Sequence, residues 1–287
     1  MRLAYNTNGL SHHRPLDAVE LLADLGYEGV ALTPDVGPLD PLGFDMGTVR
    51  ELRRVLDDAG LAVVIETGAR FVLDPRSKHR PTLLEESARE RARRRKFLEG
   101  CFALAGEIGA DLVSIWSGQV PSGERGGTLD ERPDHPLGPR LAEEVTLVLG
   151  AARGAGVRVA FEPEPGMFVE RVTGYSTLLE LMGSAGDELL LTLDIGHCVV
   201  TGDLPVSGVV RRMSDRLAHV HVADCPRGRH IHLPLGEGDL DLSDALHGLV
   251  EVGFSGLAAV EQSRESHRGP DAAAQALTAL KTSLTGI

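Results

Sequence analysis

Glu162 in RVAFEPEPG, Asp194 and His197 in LLLTLDIGH, His221 in LAHVHVAD and Glu261 in GLAAVEQS each stand at the end of an apolar, strand-like run. Carboxylates and imidazoles together form the mixed oxygen and nitrogen donor set that a divalent metal ion takes. Four consecutive strands bring their ends onto one rim if they belong to a closed barrel. The arrangement that would position these residues is therefore an α/β barrel with its chemistry at the carboxyl ends of the strands.

The rest of the chain carries the elements such a barrel needs. Apolar runs of strand length occur at Leu3 to Asn6, Gly29 to Thr33, Ala62 to Glu66, Leu112 to Trp116, Arg158 to Glu162, Leu190 to Asp194, Ala218 to Ala223 and Leu257 to Glu261. Between them lie amphipathic stretches at Leu16 to Leu25, Met46 to Ala59, Leu83 to Ile108, Arg140 to Ala155, Tyr175 to Ser184, Leu242 to Val252 and Asp271 to Leu284. Short apolar strands alternating with helices predict a parallel sheet built from βαβ units. Glycines 26, 60, 109, 156 and 253 follow the ends of five of these helices, where a left-handed residue closes a helix. Two connections are long, Thr67 to Pro81 and Ser117 to Pro139, and both follow strand ends, where binding loops are expected. The sixth crossover, Val199 to Arg216, is poor in helix signal and predicts a short or irregular helix. No composition break divides the chain, so residues 1–287 are expected to form a single barrel domain.

Composition excludes several classes of function. A chain that is 42% hydrophobic and 25% charged reads as a soluble globular protein, and no apolar run approaches bilayer-spanning length. The opening MRLAYNTNGL has the pattern of a first strand rather than a signal peptide, which predicts a cytoplasmic protein. Cys101, Cys198 and Cys225 are few and widely spaced, and are expected to be small buried hydrophobes. The net charge of −13 opposes binding to nucleic acid. The one basic run, Arg89 to Lys96, is interleaved with glutamates and predicts a solvated helix face, suited at most to a second subunit. No glycine-rich phosphate loop or dinucleotide fingerprint is present.

The segments FEPE, LDIGH, HVHVADCPRGRH followed by PLGEGDLD, and VEQS together resemble the xylose isomerase-like TIM barrels. That family holds sugar epimerases and isomerases, inosose-processing enzymes and endonuclease-IV-type nucleases. The resemblance runs from the first strand through Glu261. It implies a (β/α)8 fold in which Glu162, Asp194, His221 and Glu261 bind one divalent cation, manganese foremost, with magnesium, cobalt or zinc as alternatives. It also implies that His197 and Arg227 hold substrate oxygens. The spacing to Asp224 and Arg227 selects His221 over His219, which is expected to be structural, with its ring directed away from His221.

Proton abstraction next to a carbonyl leaves an enediolate whose charge must be stabilised in place, which a divalent cation does as a Lewis acid. With Glu162 and Glu261 as the acid/base pair, return of the proton to the same carbon epimerises, and delivery to the neighbouring carbon isomerises. The expected substrate is a small sugar, keto-sugar or cyclitol. Elimination, as by a dehydratase or a 3-keto-glycoside-cleaving lyase, and a noncatalytic metal-binding barrel remain alternatives on the same residues. The nuclease branch needs histidines after strands two to four, where this chain has Thr33-Pro34, Glu66-Thr67 and Trp116-Ser117. His232 aligns with a nuclease histidine and His230 with a nuclease aspartate; His232 is expected to pack the loop or reach the substrate. Trp116 offers a flat face for a sugar ring, with rim packing as the competing role. His12 and His13 lie in the loop after the first strand, and Arg70, Lys78 and Arg227 would clamp an anionic substituent. Barrels of this family commonly pair, so the resemblance allows a homodimer, although the subunit number is not legible in the sequence.

Overall fold

Apolar runs buried on both faces can satisfy their backbone only by pairing with neighbours on each side, and in this protein they do so in one continuous ring. The computed structural model describes residues 1–121 and 127–286. Its strands are β1 (Arg2–Asn6), β2 (Gly29–Leu32), β3 (Ala62–Glu66), β4 (Leu112–Ile115), β5 (Arg158–Phe161), β6 (Leu189–Asp194), β7 (Leu217–Val222) and β8 (Leu257–Val260). They close into a parallel barrel in sequence order, the (β/α)8 architecture that the alternation of elements predicts. The helices are α1 (Pro15–Leu25), α2 (Met46–Ala59), α3 (Ala88–Ile108), α4 (Leu137–Gly154), α5 (Val172–Met182), α6 (Ile195–Thr201), α7 (Val206–Met213), α8 (Leu242–Glu251) and α9 (Gly269–Leu284). Among the described residues, no helix is long and apolar enough to cross a membrane.

Contacts within the chain group into two units. The first comprises Met1–Leu32, Arg54–Val63 and Leu191–Ile287. Here β1 pairs with β2 and β8, and β7 pairs with β6 and β8. Its core is made of small and branched side chains, including Val30, Ala31, Val220, Val222, Ala258 and Ala259, all 0% exposed. Gly26 closes α1 with φ 89°, a conformation that a residue with a Cβ rarely adopts. The sixth crossover is two short helices, α6 and α7, rather than one.

The second unit comprises Thr33–Arg53 and Val64–Leu190, with β4 between β3 and β5. Its core is more aromatic, with Phe97, Phe102, Phe161 and Tyr175 buried. The Tyr175 hydroxyl donates to the Leu189 carbonyl at 2.7 Å, so its polar end is satisfied.

Two expectations change here. Helix α3 begins at Ala88, not Leu83, because Leu83 and Leu84 are buried in the preceding loop while the carbonyls of Glu85 and Glu86 accept from the Arg91 guanidinium. The basic run is also not a solvated face throughout. Arg91 and Arg95 both bind the buried carboxylate of Glu144 on α4, and Arg94 is 2% exposed. A buried carboxylate needs paired charge, so part of this run serves as an internal clamp. Of the second long connection, residues 122–126, which take in all of the GERGG segment but its last glycine, fall outside the described residues.

Candidate metal centre

Asp194 is the last residue of β6 and the N-cap of α6. Its Oδ1 accepts from the backbone N–H of Gly196 at 2.7 Å and of His197 at 3.1 Å. This local bond explains why a helix can start directly on a strand end. Gly196 permits the close seating of that turn, since a Cβ there would lie 2.6 Å from the Ala223 carbonyl oxygen. Capping occupies Oδ1 and leaves Oδ2 buried with no hydrogen-bond partner. Burial pushes the Asp194 pKa up to about 6, with Glu261 adding to the rise while His232 and His221 oppose it.

Strand register brings the next two residues alongside. Asp194 pairs with His221 across β6 and β7, and the Glu261 N–H donates to the Val222 carbonyl at 3.1 Å, one step beyond β8. His221 Nδ1 lies 3.2 Å from Glu261 Oε2. Asp194, His221 and Glu261 each offer one ligand atom within 4.8 Å of the others. Two cis ligands on bonds of about 2.1 Å meeting at right angles stand roughly 3 Å apart, so the His221–Glu261 separation suits an ion held between them. A plain ion pair would also account for that separation. It would not account for the orphaned Oδ2 of Asp194, which a cation would satisfy. Carboxylates with an imidazole form an oxygen-rich set fitting Mn²⁺ or Mg²⁺.

The loop after β7 brings one imidazole to Asp194 and another to His197 on α6. Buried Asp224 shapes this loop by accepting from the N–H groups of Gly236, Gly238 and Leu240 at 2.8, 3.0 and 3.0 Å. His232 is buried, its Nε2 3.8 Å from Asp194 Oδ2. His197 Nε2 stands 3.5 Å from the same oxygen and 3.0 Å from His230 Nε2. Sequence reasoning gave His230 no role, and nothing in its spacing marks it as a partner of His197. Arg227 is exposed, and its backbone N–H is held by Asp239 at 2.9 Å. His219 does not turn away from His221. Residues two apart on a strand share a face, and the two rings meet edge to face at 4.9 Å.

On the β1 side, Asn8 donates from Nδ2 to Glu261 Oε1 at 2.8 Å, a contact that no motif in the sequence announces. His12 is exposed and His13 half-buried.

In the other unit, Glu162 is the first residue past β5, buried, with its N–H donating to the Ile115 carbonyl at 2.7 Å. Trp116 follows β4 and is 7% exposed. The Arg94 guanidinium lies 4.8 Å from the centre of its ring, and His79 meets it edge-on at 5.2 Å. Arg94 also donates to the Thr67 carbonyl at 2.8 Å, and His79 Nδ1 lies 2.6 Å from the Gly68 carbonyl. These contacts fasten the loop after β3. Arg70 is engaged with Asp35 at 2.6 Å, while Lys78 is exposed.

The sequence model of the xylose isomerase-like TIM barrel matches residues 19–283. The chain belongs to this family. Among solved structures, this xylose isomerase-like barrel is similar to an L-ribulose 3-epimerase, with TM-score 0.76 and 18% identity, covering 99% of this chain and 96% of that one. It is also similar to a D-allulose 3-epimerase from a Methylomonas species in complex with D-allulose, with TM-score 0.75, 15% identity and coverage of 98% and 96%. At such identities the likeness is one of fold. A curated relative is the uncharacterized protein MJ1311 of Methanocaldococcus jannaschii, 27% identical over 172 residues. The match takes in 58% of this chain and spans about half, 54%, of that relative's length.

Proposed function

We propose that this barrel is a divalent-metal-dependent epimerase or isomerase acting on a small sugar, keto-sugar or cyclitol. The observation that carries the proposal is the buried, unpartnered Oδ2 of Asp194 beside the converging donors of His221 and Glu261. Glu162, the first residue past β5, is the fourth donor that the family resemblance implies. Mn²⁺ is the ion that this donor set suits best, with Mg²⁺, Co²⁺ and Zn²⁺ as alternatives. The epimerases of like fold act on sugars, which is the substrate class the reading carries over.

When bound, the cation supplies Lewis-acid stabilisation of the negative charge that develops on the substrate's oxygens. The chain's own residues do the rest. Glu261, whose carboxylate is fixed on both oxygens, removes the proton next to the carbonyl, and Glu162 returns it, or the two exchange roles. His197 and His232, both facing Asp194, orient the substrate's carbonyl and hydroxyl oxygens. Arg227, exposed on the β7 loop, takes a more distant oxygen. Trp116 serves by holding the loop after β3 against its own ring.

Solvent deuterium exchange into a panel of ketoses, with Mn²⁺ present, tests the reading directly. Incorporation next to the carbonyl is expected, and Glu261→Gln should slow it at least about 100-fold, the size of a general acid–base contribution. No exchange across a broad panel would count against the proposal, and loss of water or of an aglycone would mark elimination instead.

A further inference from the structure

Each oxygen of Glu261 has a partner. His221 stands at Oε2 and the Asn8 amide at Oε1. A carboxylate only accepts, so the amide nitrogen must face it, which settles the orientation of the Asn8 side chain on chemical grounds. We propose that Asn8 is a positioning residue for Glu261 in the metal centre described above, holding Oε1 so that Oε2 stays turned toward His221. The inference rests on the reading of Glu261 as a ligand.

The turn that carries Asn8 is itself clamped. Its N–H donates to the side chain of Asn6 at 3.0 Å, and its carbonyl accepts from the Ser266 hydroxyl at 3.0 Å. Neighbouring Gly9 has no room for a Cβ, which would lie 2.7 Å from the Tyr5 hydroxyl oxygen. The amide is therefore presented from a fixed backbone. Packing alone does not explain an asparagine here, because its Oδ1 is buried with no hydrogen-bond partner. A leucine of similar size would avoid leaving that acceptor unpaired. The residue makes sense if its donor is needed at Glu261 and its acceptor meets a hydroxyl hydrogen of the substrate. Hydrogen bonds to ligating carboxylates matter in this way because they fix the ligand before the ion arrives.

The test is Mn²⁺ titration of the metal-stripped full chain, which reads binding without turnover. Asn8→Leu should weaken Mn²⁺ affinity about 10- to 100-fold, the usual loss for removing an outer partner of a ligand. Asn8→Gln, which keeps a donor on a longer arm, should recover part of that loss. Ser266→Ala loosens the same turn but keeps the Asn8 amide, and should cost clearly less Mn²⁺ affinity than Asn8→Leu. If Asn8→Leu disturbs folding by circular dichroism, Asn8→Ala replaces it. Wild-type affinity in the Asn8 variant, or an equal loss in Ser266→Ala, overturns the proposal. Glu261→Gln separates the two claims. If that variant also binds like the wild type, Glu261 is not a ligand and the metal-centre reading falls with this one; if it loses Mn²⁺ while Asn8→Leu does not, only the Asn8 proposal falls.

Discussion

Asp194 and His197 are linked at both ends of one carboxylate. Oδ1 accepts the His197 backbone N–H at 3.1 Å, while Oδ2 lies 3.5 Å from Nε2 of the same residue. One side chain thus starts α6 and faces the ring that α6 carries. The two duties can be separated by experiment. Asparagine caps a helix about as well as aspartate, so Asp194→Asn should leave α6 and the metal-free fold intact and, above pH 6, spare the chain the cost of burying an ionised carboxylate. The same change removes the ionised oxygen, and Mn²⁺ binding should be lost. Thermal unfolding and metal titration on the one variant check both halves.

The buried carboxylate also sets a pH dependence. The Asp194 pKa is raised to about 6 in the folded chain, chiefly by burial, against an ordinary value of 3.8. Between those values the folded state keeps a proton that the unfolded state has released. Its contribution to stability is therefore fully present below about pH 4 and lost as pH rises to about 6. Bound cation favours the ionised form, so saturating Mn²⁺ should abolish or reverse the trend. Denaturant unfolding of metal-free protein between pH 4 and 7, with and without Mn²⁺, is the measurement; rising metal-free stability of Asp194-bearing protein relative to Asp194→Asn would contradict it.

The Trp116 cluster predicts the opposite sign in another region. Burial lowers the His79 pKa to about 4 from 6.5, with Lys78, Arg94 and Arg70 nearby adding to the effect and the Gly68 carbonyl opposing it. Its stabilising contribution is present above about pH 6.5 and disappears as pH falls toward 4. The loop from Gly68 to Arg80 should then open, raising amide exchange and protease cleavage there. Trp116→Ala should produce the same opening at neutral pH and cost about 3–5 kcal/mol of stability, as large aromatic deletions do.

A ring of strands in unbroken order β1 to β8 leaves no sheet edge along which to part. We therefore propose that the chain behaves as one domain and melts in a single cooperative transition. Calorimetry checks this, since two separable transitions would show independent folding units.

Local periodicity made the barrel legible in the sequence alone. Apolar runs of four to six residues bury both faces, and glycines such as Gly26 close the intervening helices because the left-handed conformation is cheap only for them. The strand ends at Ile115, Phe161 and Val260 fall one residue short of the sequence-based limits, and Trp116, Glu162 and Glu261 stand just beyond them. The candidate ligands were readable for the same reason, since each is fixed by its place at the end of a strand or one residue beyond it.

Which oxygen or nitrogen each side chain offers, and to whom, was decided only by tertiary structure. Asp194 caps α6 with one oxygen and turns the other toward the His197 ring, Asn8 reaches Glu261 from the other end of the chain, and His230 meets His197 from a loop. His219 lies beside His221, and Trp116 has Arg94 over its face. Such contacts join residues far apart in sequence or depend on how a side chain turns. Strand spacing fixes which face a residue occupies, but its partners depend on register between strands and on loops whose paths carry no period.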